Sequence, residues 1–248
     1  MSIASNLERI HNQIADACAT ANRSPDTVAL MAVSKLHPAE KIREAYAAGQ
    51  RLFGENRVQE WQSKRSSLSA LFTPPKESTR IGTRSLSPSA QDQAAQAHLI
   101  GPLQNNKTSK AADIFTSVDT LDSIKTADRL NSAARSLDKL LRVIIEVKLS
   151  PEESKHGLDP RDLALFLTDL QQLDNLKVVG LMTVPPFDPH PESARPYFRH
   201  LRRLRDQNQA ICPTLTELSM GMSNDFTVAI EEGSTTVRIG TAIFGKRT

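Results

Sequence analysis

Apolar residues recur at helical spacing between residues 3 and 21, where Ile3, Leu7, Ile10, Ile14, Ala17 and Cys18 share one face and predict an amphipathic helix. A short unbroken apolar run follows, Val28-Ala29-Leu30-Met31-Ala32-Val33, and reads as a buried strand. Pro38 opens the next helix and Gly49 closes it, with Ile42, Ala45 and Tyr46 turned inward. Arg51-Leu52-Phe53 is a brief second strand, and 57–68 is helical. Further strand-like runs lie at 98–100, 114–118, 143–147, 178–182, 215–219 and 237–239. Helical segments separate them, around 104–112, 122–136, 160–172, 192–210 and 224–232. Alternating strands and helices predict an α/β fold with a parallel sheet. The count of eight strands favours a closed (β/α)8 TIM barrel with an extra N-terminal helix. A doubly wound open sheet is the alternative, because two of the strands carry only three or four residues of signal.

One interval breaks the rhythm. Residues 73–96 are rich in Ser, Thr, Pro and Gln, with only Ile81 and Leu86 as large aliphatic residues. Such a stretch buries too little apolar surface to offset its ordering entropy, and it reads as a disordered surface insertion. The same rhythm resumes after it, so residues 1–248 are expected to form one barrel domain.

Composition adds mainly exclusions. With 248 residues, 39% of them hydrophobic and 24% charged, the chain is neither collagen-like, coiled-coil nor wholly disordered. Lys and Arg total 31 against 28 acidic residues, a net charge of +3 that does not imply nucleic acid. The densest basic run, Arg199-His200-Leu201-Arg202-Arg203-Leu204-Arg205, has leucines at helical spacing and reads as the solvated face of a helix. Two cysteines, Cys18 and Cys212, make neither a disulfide framework nor a zinc site, and Cys18 belongs to an apolar stripe. The N-terminus lacks the order of a signal peptide, and no apolar run reaches the ~20 residues of a membrane span. A cytoplasmic protein with reduced thiols and no membrane partner is expected.

In a barrel of this kind chemistry sits where the strands end. Strand 1 leads into Ser34-Lys35, strand 2 into Gly54-Glu55-Asn56, strand 6 into Met182-Thr183, strand 7 into Ser219-Met220-Gly221-Met222-Ser223, and strand 8 into Arg238-Ile239-Gly240-Thr241. Small residues and hydroxyls after the last two strands let backbone N–H groups approach a phosphate, although the same residues also serve as plain turn chemistry. Lys35, after six apolar residues, stands at the mouth of a dry core, where a free amine suited to a Schiff base is favoured. The alternative is a strand-end lysine reaching for water. Lys148 has the same claim from strand 5 and Lys107 a weaker one, and spacing does not choose among the three. Arg238 points inward and needs an acceptor, either a ligand atom or a carboxylate such as Glu146. His98 could orient a ligand or be a satisfied core residue. No metal-binding spacing, Walker motif or dinucleotide fingerprint is present.

Taken together, the motifs resemble those of the pyridoxal-phosphate homeostasis protein family (YggS/PROSC type). The matching stretches are AVSKLHP at 32–38, FGENRVQEW at 53–61, HLIGPLQNNK at 98–107, SVDTLDS at 117–123, EESKHGL at 152–158, GLMTVPP at 180–186 and SMGMSNDFTVAIEEGSTTVRIGTAIFG at 219–245. They keep family order over nearly the whole chain. The resemblance implies a barrel like the N-terminal domain of alanine racemase, with pyridoxal 5'-phosphate held as a Schiff base on Lys35. It implies that Ser219, Gly221, Ser223, Gly240 and Thr241 hold the phosphate, that Arg238 faces the pyridine nitrogen, and that Asn56, His98 and Met182 surround the ring. Ala97 stands where the family often has an aromatic residue, and Lys148 where asparagine is usual.

The resemblance further implies a protein that buffers or delivers the cofactor, with no catalytic residues assigned. The alternative is a pyridoxal-phosphate-dependent amino-acid racemase. Racemization by two bases needs a second base on the far side of the cofactor, which in alanine racemases comes from a separate C-terminal domain. Here the chain stops at Thr248, and its two tyrosines, Tyr46 and Tyr197, fall in expected helices. A carrier, monomeric and serving apo-enzymes that need the cofactor, is therefore the expectation. A phosphosugar-handling barrel enzyme ranks third, since it leaves Lys35 and Arg238 unexplained.

Overall fold

A computed structural model describes residues 2–72, 94–150 and 156–245. Eight parallel strands close into a barrel in sequence order: β1 (Ala29–Val33), β2 (Leu52–Glu55), β3 (Gln96–Leu99), β4 (Ser117–Leu121), β5 (Leu141–Glu146), β6 (Leu176–Met182), β7 (Glu217–Ser219) and β8 (Thr236–Ile239). Closure is made by β8 against β1, where Ala29 to Ala32 pair with Thr236 to Ile239. The open-sheet alternative is thereby excluded. Around the barrel run α2 (Ala39–Ala47), α3 (Val58–Phe72), α4 (Thr108–Ile114), α5 (Ile124–Ser136), α6 (Leu163–Leu170), α7 (Arg195–Asn208), α8 (Phe226–Glu231) and α9 (Thr241–Phe244).

The extra N-terminal helix, α1 (Ile3–Thr20), buries the six residues that the periodicity assigns to its inner face. Ser2 caps it by accepting from the amide of Ser5 at 3.2 Å. It packs on α2, α8 and α9. Asn6 donates to the carbonyl of Ile243 and Arg9 to that of Ala242, so α1 braces the segment that follows β8. Both cysteines are buried free thiols.

Two cores result. Outward-facing strand residues such as Phe53, Leu99, Val118, Ile145 and Val237 pack under the helices in one continuous apolar layer. Trp61 of α3 anchors it, edge-on to Phe72 at 4.8 Å and donating from Nε1 to the carbonyl of Ile114 at 3.1 Å. The barrel interior has a different character. Met31, Ile144, Val179 and Met182 share it with His98, Asp119, Ser219 and Arg238, all buried.

That polar interior explains where the observed elements depart from the apolar pattern. The run expected as a strand at 114–118 is split: Ile114 ends α4, and β4 begins only at Ser117. Inside β4, Asp119 and Thr120 are buried because His98, Ser117 and the Gly101 carbonyl satisfy them. The interval read as an insertion is shorter than expected at its end, since Ala95 is buried and Gln96 opens β3. Residues 73–93 lie outside the described residues. The chain on either side of them meets, because the Ala95 amide donates to the Leu71 carbonyl at 2.8 Å. This junction lies where β3 starts, at the end of the barrel away from the strand termini.

Because residues 71 and 95 are already joined, replacing 74–92 by a short Gly-Ser turn closes a small loop without stretching the barrel. The expected outcome is a cooperative thermal transition within a few degrees of the parent. A chain that no longer unfolds cooperatively would show that the interval contributes to the core.

Candidate functional site

At the C-terminal rim, β7, β8 and β1 are consecutive neighbours, and the residues that leave them converge. Val33 ends β1, and Lys35, two residues on, is half-buried. Ala32 pairs with Ile239, so Gly240 and Thr241 leave β8 beside it. Gly240 lies over Val33, whose carbonyl would be 3.3 Å from an added Cβ. Thr241 opens α9 and is exposed, with an N–H of the kind that helices leave without an internal partner.

The β7 loop is fixed from below. Gly221 has φ +96°, a left-handed conformation, and a Cβ there would lie 2.6 Å from that of Ala229 in α8. Only glycine lets this turn settle onto the helix. Its carbonyl accepts from the Arg238 amide at 3.0 Å, tying the two loops together. Asp225 holds the next residue by accepting from the Met222 amide at 2.6 Å, and burial raises the Asp225 carboxyl above its ordinary range. Ser223 is exposed at the top of this turn.

Arg238 lies inside the barrel beneath these loops. Nη1 donates to the Ser219 carbonyl at 2.6 Å and to Ser219 Oγ at 2.7 Å, and Nη2 donates to the Thr183 carbonyl at 2.9 Å. Glu146 is therefore not its hydrogen-bonding partner. Burial pulls the guanidinium down from its ordinary value, and the charges of Glu146, Asp119 and Asp225 oppose that pull through space. Met182 ends β6 fully buried, paired in register with Ser219 and packed on Ile144 and Val179.

Across the rim, Asn56 follows β2 and lines a cavity of about 220 Å³ with Gly101, Glu146, Lys148 and His156. Asn56 Oδ1 is buried without a hydrogen-bond partner, an acceptor left over by the protein itself. Burial, partly offset by the charge of Arg238, raises the Glu146 carboxyl to about 7. His98 is buried inside the barrel beside Asp119, whose charge also acts on Arg238. It is the third residue of β3 and lines a cavity of about 460 Å³ with Gln96, Arg142 and Glu217, which stand at or near the strand starts. His98 Nδ1 lies 3.0 Å from Asp119 Oδ2, and Asp119, despite the opposing effect of burial, is held below the usual carboxylate range by His98 and Ser117. His98 Nε2, like Asn56 Oδ1, is buried without a hydrogen-bond partner.

A family model described as the alanine racemase N-terminal domain matches residues 5–248. A relative from Aquifex aeolicus, called pyridoxal phosphate homeostasis protein, is 39% identical over the whole chain and 99% of its own length. Another of that name, from Vibrio alginolyticus, is 41% identical over 99% of this chain and 98% of its own. The solved structure of PipY from Synechococcus elongatus PCC7942 with PLP bound superposes with a TM-score of 0.81 at 37% identity, covering 98% of this chain and all of that one. The chain belongs to the pyridoxal phosphate homeostasis protein family. An alanine racemase from Clostridium difficile, 13% identical with a TM-score of 0.70 and 56% of its length covered, shares the barrel fold.

Of the residues that the family motifs singled out, Lys35, Ser219, Gly221, Ser223, Arg238, Gly240 and Thr241 come from three adjacent strands, Met182 lies beneath them, and Asn56 stands opposite. Sequence reasoning missed Asp225 and the Glu55–Lys64–Glu60 cluster behind Lys35. Asp225 alone had a local signal, a carboxylate just before a helix. Among the described residues no cluster of metal-binding side chains exists.

The raised Glu146 carboxyl makes stability depend on pH. In the unfolded chain it titrates near 4.5 and in the folded one near 7, so the fold binds the proton more tightly. Stability is lost as pH rises through this interval, and the full cost is present above about 7. Glu146→Gln removes that cost, and the variant should gain about 1–3 kcal/mol over the parent at pH 8 and little at pH 4.5. Denaturant unfolding at the two pH values reads it; a gain equal at both would mean that the carboxyl is not desolvated.

Proposed function

We propose that this chain binds pyridoxal 5'-phosphate and serves its homeostasis, buffering the cofactor and delivering it to apo-enzymes without robust catalysis of its own. The carrying observation is the register at the rim: Lys35, the Gly240–Thr241 turn and the Gly221–Ser223 turn leave three neighbouring strands at one end, with Arg238 fixed below. PipY, a relative similar over its full length, binds PLP.

The residues present suit the group. Close-packed glycine turns and the hydroxyls of Ser223 and Thr241 offer neutral donors to a phosphate, and Asn56 keeps an unused acceptor. When bound, the cofactor supplies an aldehyde that bonds to a lysine amine and a ring that withdraws electrons. Lys35 would contribute that amine, the two turns would hold the phosphate, Arg238 would face the ring nitrogen, and Met182, Asn56 and His98 would border the ring. Lys148 and Lys107 are the competing amines. Lys148 lines the cavity across the rim, and Lys107 follows β3 on that same side, so neither adjoins the phosphate turns as Lys35 does.

Weak catalysis follows from what surrounds the site. Tyr46 lies at the strand-start end with the Arg51 guanidinium 3.8 Å above its ring, and Tyr197 is on α7. Neither is a rim base. One feature favours a racemase reading, Glu146, whose carboxyl titrates near 7 inside the rim cavity. A single barrel domain acting as a cytoplasmic monomer completes the proposal. Its buried free thiols suit a reducing compartment, and among the described residues no helix is long and apolar enough to cross a membrane.

The test is reduction with borohydride followed by peptide mass spectrometry. The parent should carry the cofactor on Lys35, and Lys35→Ala should lose the covalent adduct while keeping its circular dichroism. An adduct on Lys148 or Lys107, or no binding at all, overturns the assignment. Alanine racemization should run far below the 1–10³ s⁻¹ range common for dedicated enzymes. A turnover within that range that falls with Glu146→Gln would establish the racemase reading instead.

A further inference from the structure

Lys35 projects from a turn whose two flanking residues are both tied to one buried cluster. Ser34 Oγ donates to Glu55 Oε1 at 2.7 Å, and the Ser34 carbonyl accepts from Lys64 Nζ at 3.1 Å. On the other side, the Leu36 amide donates to Glu60 Oε1 at 2.6 Å. Lys64 joins the two carboxylates, reaching Glu55 Oε1 at 3.1 Å and Glu60 Oε1 at 2.5 Å. Glu60 and Lys64 are one turn apart on α3, and Glu55 ends β2, so two elements hold one short segment.

This amount of fastening answers a specific strain. Leu36 has φ +63°, a left-handed conformation that costs a leucine about 1–2 kcal/mol. Its side chain is 60% exposed, so packing does not compensate. The bond from Glu60 to the Leu36 amide, together with the His37 amide donating to the Ser34 carbonyl at 3.1 Å, keeps the turn in place. The Glu55 side chain has no exposure and that of Lys64 only 10%, so the cluster is rigid rather than a surface pair. Strain maintained by its surroundings next to a reactive group is the pattern expected of a pre-organised site.

We propose that Glu60, Lys64 and Glu55 are positioning residues that hold the left-handed turn at Leu36 and so present the Lys35 amine to an incoming aldehyde. The inference rests on the reading of Lys35 as the covalent amine. Without the cluster the turn relaxes, and the amine samples orientations that do not meet the ligand. Capture of the aldehyde suffers, while the phosphate turns after β7 and β8, on other strands, keep their grip.

Two ligands separate these effects in the full-length protein: pyridoxal 5'-phosphate, and 4'-deoxypyridoxine 5'-phosphate, which has the same ring and phosphate but no aldehyde. Glu60→Ala is the first variant, because Lys64 and Glu55 still neutralise each other when it is made. It should weaken binding of the aldehyde ligand about tenfold and slow the borohydride-trapped reaction at Lys35, while the deoxy analogue stays within about twofold. Glu60→Gln, which keeps an oxygen within reach of the Leu36 amide, should restore most of the loss. Glu60→Asp, which keeps the charge but is too short, should not. Equal loss for both ligands, or no loss for either, overturns the cluster's role. If Glu60→Ala does not fold, the Gln and Asp pair decides: equal behaviour of the two refutes positioning. A parent adduct away from Lys35 would refute the underlying reading itself, whereas a Lys35 adduct indifferent to Glu60 refutes only this inference.

Discussion

The rest of the structure is arranged around a guanidinium that the closed barrel keeps away from water. Arg238 is 5% exposed, and its hydrogen-bonding partners are the neutral oxygens of Ser219 and Thr183. Moving such a cation out of water is costly unless its donors are satisfied and opposite charge is near. Both conditions are met, but by different residues. Ser219 and Thr183 give the geometry, and Asp119, Glu146 and Asp225 give the charge through space. Separating the two roles leaves the guanidinium face free of a carboxylate clamp while the barrel stays close to electrically balanced.

That balance divides the lumen along its axis. Toward the strand starts, Arg142 and Glu217 pair at 2.9 Å and His98 leans on Asp119, so charge is consumed internally. Toward the strand ends, Asn56 Oδ1 is left over and Glu146 titrates near neutrality. The lower end therefore pairs its charges, though Arg142 Nε and His98 Nε2 stay buried without partners, and the upper end keeps an orphaned acceptor beside a carboxyl that titrates near neutrality. The join between Leu71 and Ala95 falls at the lower end, which is where a barrel accommodates sequence variation at little cost to its rim.

What the amino-acid pattern revealed follows the same division. The layer beneath the helices is an apolar surface, and periodicity located α1 and all eight strands from it. The lumen is not apolar, and there the pattern misled: Ser117 to Leu121 contains too many polar residues to read as a strand, so the expected run started three residues early. The Gly221 and Gly240 turns were legible, since small residues after consecutive late strands have a local meaning. The cluster behind Lys35 was not, because its members are brought together by β2 and α3 packing on β1, and nothing in Phe53-Gly-Glu-Asn-Arg-Val-Gln-Glu-Trp61 announces which carboxylate faces which amide.

On the proposed reading, Arg238 also explains why a barrel shared with racemases should make a carrier. An electron-withdrawing ring is most effective when its nitrogen is protonated, and that requires a partner able to stabilise the added positive charge. A guanidinium cannot do so: it has five donors, no acceptor, and stays protonated even where burial lowers its pKa. Three hydrogen bonds to main-chain and hydroxyl oxygens hold the group in place, so it cannot swing away to admit another partner. Sited against the ring nitrogen, it would favour the neutral ring and weaken the pull on bonds to a bound amine. Firm phosphate turns, a pre-set lysine and a weak electron sink suit holding a cofactor better than using it. Glu146 is a base in the cavity, but a carboxyl there would have to remove a proton that this ring would do little to acidify.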